Sequence, residues 1–372
     1  MITTDPSQPP GEAIKAELQR RGWTQADFAT IMNRDIATIN EILNGKRQIT
    51  AEIAVQLGIV LGTPAEDWLQ REASYRLSLI DRADPNVQRR ARLYELGPIK
   101  EMEKRGWIKQ SNNLNDIERE VRSFFNLNSL DDEPKINVCA RQPFESNELT
   151  ASQRAWVFRA AQLASVLNVR PFTTTGFDKG LSHIRDLADS AEKAHHVPRL
   201  LAELGVRLVV IEPLQKSPID GAAFWLDGPS PSPVIVLSLR FDRIDAFWFT
   251  LAHELMHIRF GDRRSLDSDL VGETRHPSND EIEARADRGA ASFLVPAERL
   301  QSFVLRVRPY YSKVKITQFA QRMRVHPGIV NGQLQHLNEV GWNANREMLE
   351  NVRGLVTATA ITDGWGKTVA VK

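Results

Sequence analysis

Phe249-Thr250-Leu251-Ala252-His253-Glu254-Leu255-Met256-His257-Ile258 carries the pattern H-E-x-x-H inside an almost unbroken apolar run. Residues four apart on a helix share a face, so this spacing presents the imidazoles of His253 and His257 to one metal ion. Glu254 stands beside the first histidine, where a carboxylate can take a proton from a metal-bound water. Leu251, Ala252, Leu255, Met256 and Ile258 fill the remaining faces and predict a helix buried in a core. A helical histidine pair also occurs as a satisfied core pair or on a solvated face, so a third ligand is needed to decide.

Upstream, the periodicity is that of strands: Val206–Glu212, Ala222–Leu226 and Val234–Ser238, with Asp227–Pro233 supplying a turn. Gly221–Trp225 is the candidate edge strand for binding an extended peptide by β-addition. Downstream, a metzincin site needs glycine at 260 and histidine at 263, and Phe260 and Arg263 stand there instead. A gluzincin-like site takes a carboxylate from a following helix, and Asn279–Asp287 offers one, capped by Ser278 or Asn279. Glu283 and Asp287 are four apart and share a face. Glu283 is the candidate third ligand, and Asp287 the acceptor for the second nitrogen of a ligand histidine. Asp280 and Glu281 are rival carboxylates, and His276 a rival fourth ligand or transition-state donor. Mixed histidine and carboxylate ligands prefer Zn2+.

Phe249–His257, then Glu283-x-x-Ala286-Asp287 and Ala290-Ala291-x-x-Leu294-Val295-Pro296, resembles the ImmA/IrrE metallopeptidase family. The resemblance spans about residues 200–340 and includes Ile316–Ala320 and Val325–Val330. It implies a zinc peptidase with His253, His257 and Glu283 on the metal and Glu254 in catalysis. It also implies a protein substrate, a repressor or regulatory partner, cut under a signal. Two positions depart from the family: Gly289 stands for its usual aromatic, which should weaken helix packing locally, and Gln333 for its usual arginine.

A second module lies at the amino end. Glu12–Arg21 reads as a short helix closed by Gly22, and Thr24 with Asp27 forms a capping box for the next. A third helix covers Ile36–Leu43 and ends at Asn44-Gly45; Thr50 caps a fourth and Pro64 opens a fifth. Five short helices, the second and third joined by a tight turn, describe a helix-turn-helix domain. Pro10–Glu12, Gly22–Gln25, Asn40–Arg47 and Ile49-Thr50 resemble the HigA-type antitoxin branch of the Cro/repressor-like (XRE-type) family, which implies a homodimeric operator binder. Arg34, Lys46 and Arg47 are candidate phosphate contacts, and Ala37, Thr38 and Asn40 candidate base readers. Residues 1–80 hold eight Lys/Arg against ten Asp/Glu, net −2, so no strongly basic footprint is present. A fold kept for dimerisation or partner docking is the alternative.

The whole chain, 372 residues with formal net charge +1, 42% hydrophobic and 26% charged, has the composition of an ordinary soluble protein of two or three domains. Cys139 is alone, which suits a reducing cytoplasm. No apolar signal core opens the chain and no run of about eighteen apolar residues occurs, so no membrane association is expected. Helical periodicity in Gln88–Leu96, Pro98–Arg105, Leu114–Leu127 and Ser152–Leu167 fills the middle, with an irregular stretch around Cys139. His195-His196 is expected in a solvated turn, His326 in a capping or surface role, and Leu355–Lys372 in a hairpin.

The expected fold class is α+β, mostly helical. A five-helix domain (1–80) precedes a helical middle region (81–199), a small zincin-like domain with a short sheet (200–340) and a tail (341–372). The expected function is a DNA-binding regulator fused to a zinc-dependent endopeptidase acting on a regulatory protein. The alternative is an antitoxin-like repressor whose zincin-like domain binds a partner or toxin without cutting it.

Overall fold

Helix caps set out the amino-terminal elements of the computed structural model, which describes residues 8–80, 84–134, 149–215, 217–226, 232–262, 264–267 and 277–368. The side chains of 264–267 and 277–280 lie outside that description, as do Cys139, His276 and residues 227–231 of the expected turn. Two compact units make up the chain, Met1–Gln88 and Arg89–Lys372.

The first unit holds α1 (Pro10–Arg21), α2 (Gln25–Ile31), α3 (Ile36–Leu43), α4 (Ala51–Leu61) and α5 (Ala65–Ser78). Thr24 accepts from the backbone N–H of Asp27, whose carboxylate accepts in return, so the predicted capping box forms. Asp35 caps α3 by accepting from the Thr38 N–H at 2.7 Å, and Thr50 caps α4. Such caps contribute about 1 kcal/mol each. Ile14, Phe28, Ile39, Leu43, Leu57 and Trp68 close the core.

After α6 (Pro85–Leu96), which spans the junction, the second unit continues with α7 (Ile99–Lys104), α8 (Leu114–Phe125), α9 (Ala151–Ser165), α10 (Thr174–Arg185) and α11 (Val197–Glu203). The sheet follows, with β1 (Arg207–Val210), β2 (Gly221–Leu226) and β3 (Ser232–Leu237). Next come α12 (Ile244–Phe260), β4 (Arg264–Asp267), α13 (Pro277–Leu294), α14 (Ala297–Val307), α15 (Lys313–Met323) and α16 (Pro327–His336). The unit ends with α17 (Arg353–Thr357) and β5 (Ile361–Thr362). The strand order is β4-β2-β3-β1-β5. The molecule is thus α+β and mostly helical, as the sequence predicts.

Alternation along the strands explains why helices cover both faces. Leu208, Val210, Ala223, Ile235 and Leu237 face the core built on α12. Val209, Ala222, Phe224, Val234 and Val236 face a second core with Phe124, Phe125 and Trp156 of α8 and α9. Strands buried on both sides read as continuous apolar runs, which is the pattern of β1 and β3. Residues 89–199 of the expected middle region and the expected tail group with this unit, and residues 81–88 with the first.

Two expectations change. β2 is not an edge: Gly221–Phe224 pairs with β3 on one side and antiparallel with β4 on the other, so its backbone groups are already taken. The predicted tail hairpin is instead the short helix α17 followed by β5, which pairs parallel with β1 through Val209 and Ile361. His195 and His196 lie in a short 3-10 helix with ring centres 3.7 Å apart. His326 caps α16, its Nδ1 accepting from the Gly328 N–H at 3.1 Å. Among the described residues no helix is long and apolar enough to cross a membrane.

Candidate functional site

α12 is buried on nearly every face, with Phe247, Trp248, Leu251, Ala252, Leu255 and Met256 in its packing. Gly261 ends it in the left-handed region at φ 77 and turns the chain back. α13 packs along it, and Gly289 makes the approach possible: a Cβ there would lie 2.8 Å from Met256 Cγ. The residue expected to weaken packing is therefore the one that lets the two helices close.

That approach brings His253, His257 and Glu283 together, with one ligand atom of each within 4.8 Å of the others. The two Nε2 atoms face each other at 2.9 Å, and Glu283 Oε2 stands 3.1 Å from that of His253 and 3.5 Å from that of His257. The second nitrogens are held from behind. His253 Nδ1 lies 2.9 Å from Asp287 Oδ1, and His257 Nδ1 3.0 Å from Asp262 Oδ2. Glu254 is fully buried, 0% exposed, under Gly221 of β2, where a Cβ would sit 2.6 Å from its Oε1. Glu281 is exposed and outside the cluster.

In the first unit the turn between α2 and α3 passes through Asn33 at φ 50. Arg34 pairs with Glu52 at 2.6 Å and Arg47 with Glu41 at 2.8 Å, whereas Lys46 and Ala37 are exposed. The Thr38 hydroxyl donates to Asp35, and the Asn40 carbonyl accepts from the Asn44 side chain. Arg34, part-buried, also donates to the Gln56 side chain at 3.3 Å, whereas the Arg47–Glu41 pair is exposed and of a kind worth about 0–1 kcal/mol.

Residues 202–334 match the IrrE N-terminal-like domain family of M78 peptidases, and residues 14–68 match a helix-turn-helix family. The chain joins a helix-turn-helix domain to an M78 peptidase-family domain. An uncharacterised HTH-type transcriptional regulator of Escherichia coli (strain K12), YddM, is 29% identical over 69 residues, 18% of this chain and 73% of that protein.

The donor set of the M78 domain suits a divalent cation. Burial alone would lower the pKa of His257, but hydrogen bonds to Asp262 and Glu283 and the charge of Glu254 outweigh it and raise it to about 9. Burial would raise Glu283, yet the two histidines bring it down to about 2. The cluster thus favours positive charge at its centre, two borderline nitrogens and one hard oxygen converge there, and the family is one of metallopeptidases. Asp262 is the residue that sequence reasoning passed over. It also accepts from Arg285 at 2.6 Å; burial would raise its pKa, but His257 and Arg285 outweigh that and hold it low. Its one local signal was the helix-ending glycine before it.

Proposed function

We infer that the M78 domain is a zinc-dependent endopeptidase that cuts a regulatory protein, and that the helix-turn-helix domain binds operator DNA as a homodimer in the cytoplasm. The observation that carries the first half is the burial of Glu254 beside three converging donors. A purely structural metal site has no need of that carboxylate.

His253, His257 and Glu283 would hold the ion. When bound, zinc supplies Lewis acidity, bringing the pKa of a water to about 7 and polarising a carbonyl. Asp287 and Asp262 accept from the two Nδ1 atoms, which would leave both Nε2 atoms free to bind an ion. Glu254 takes the proton of the attacking water and returns it to the leaving amine. Packing by β2 over Gly221 keeps bulk water from this carboxylate.

The test is Glu254→Gln in the full chain. Zinc content should stay near wild type while cleavage of the regulatory target is abolished. A variant that retains every cellular function would instead support the antitoxin-like reading, in which the domain binds a partner or toxin. For the other half, a gel shift on the protein's own promoter should show a specific complex that weakens steeply with salt. No such complex would leave the domain as a docking unit.

A further inference from the structure

Asp262 follows α12 at a point where its main chain has little freedom. Its backbone N–H donates to the His257 carbonyl at 2.9 Å, and its own carbonyl accepts from the Trp225 indole of β2 at 3.4 Å. The left-handed turn at Gly261, φ 77, sets the direction of approach. With the backbone fixed, rotation of the carboxylate is the freedom that remains.

Two partners settle that rotation, one on each oxygen. Oδ2 faces His257 Nδ1 at 3.0 Å, and Oδ1 accepts from Arg285 Nη2 at 2.6 Å. Arg285 lies on α13, two residues past Glu283, with its guanidinium carbon 4.6 Å from the Phe260 ring centre. A planar guanidinium seated on an aromatic face loses little freedom when it binds an acceptor. The series runs inward from the surface: the side chains are 44% exposed at Arg285, 13% at Asp262 and 0% at His257. His253 is held by Asp287, which is 56% exposed and shared with water.

Charge alone would give Arg285 the opposite effect. A guanidinium near a divalent cation repels it, so its removal should tighten metal binding. Orientation predicts weaker binding, because a ligand histidine is worse placed when its carboxylate partner can turn away. The two accounts differ in sign, which makes them separable.

We propose that Arg285 is a positioning residue that acts on the metal through Asp262, by fixing the carboxylate that orients His257. The proposal rests on the zinc reading of the site. Zinc affinity of the full chain is measured by chelator competition. Arg285→Met keeps an apolar stem on Phe260 but removes the guanidinium, and should weaken zinc binding by about tenfold, the low end for partners of this kind. Arg285→Lys keeps the charge and a donor, and should recover most of that loss. In the Asp262→Ala background, Arg285→Met should change the affinity by no more than about twofold, because its target is gone. Should Arg285→Met lower the melting temperature of the metal-free protein, Arg285→Ala in both backgrounds carries the test. Zinc binding that is unchanged or tighter in Arg285→Met overturns the proposal and leaves the zinc site standing. An equal loss in the Asp262→Ala background also overturns it, since the arginine would then act through helix packing. Wild type that binds no zinc overturns the zinc reading and the proposal with it.

Discussion

Replacing Asp262 by Asn would keep the size of the side chain but remove the charge facing His257 Nδ1. Partners of this kind are worth about 10- to 100-fold in metal affinity, so Asp262→Asn should weaken zinc binding by that range in a chelator competition. Glu283→Ala should lose the metal outright, and unchanged zinc content would return the third place to Glu281 or Asp280. The same residues set a pH signature in the metal-free protein. His257, raised from 6.5 to about 9, contributes stability that is complete below 6.5 and fades as pH rises through 9. Glu283, lowered from 4.5 to about 2, contributes stability that is complete above 4.5 and fades as pH falls through 2. Urea midpoints of EDTA-treated protein should therefore show this contribution at full strength between pH 4.5 and 6.5. A contribution that grows above pH 9 would refute the assignment.

At the scale of elements, the packing of α12 on α13 is the point of least tolerance. Gly289→Val would drive two methyl groups toward Met256 and Phe260. Overpacking of a closed interface costs about 1–3 kcal/mol, and here it also displaces Glu283. A lowered melting temperature should accompany weaker zinc binding, and a variant that loses neither would show that the helices have room. The elements that sequence made legible are those whose signals are local. The end of α3 follows from Asn44 and the glycine after it, and α12 from apolar residues on every face around two histidines. What stayed hidden depends on distant partners. Arg264–Asp267 has no clear alternation, so nothing local shows that it covers β2. Asp262 reads as a surface turn until α12 brings Nδ1 of His257 above it. The left-handed turn at Leu239 is held by the Arg353 guanidinium on its carbonyl, more than a hundred residues onward.

Across the whole molecule, the two compact units predict separable responses. Ligand that binds only the folded state stabilises by about 4 kcal/mol at a thousandfold excess over its Kd. Calorimetry of the full chain should then show that EDTA lowers one thermal transition and leaves the transition of residues 1–88 in place. A single transition that shifts as a whole would mean that the units unfold together.

The pairing of β5 with β1 orders events in time as well as in space. All five helices of the helix-turn-helix domain have been synthesised by Ser78, whereas the peptidase-family sheet waits for Ile361. At about 5–20 residues per second of translation, those segments emerge roughly 15–60 s apart. A nascent chain on the ribosome therefore carries all the helices of its helix-turn-helix domain well before its peptidase-family unit can close.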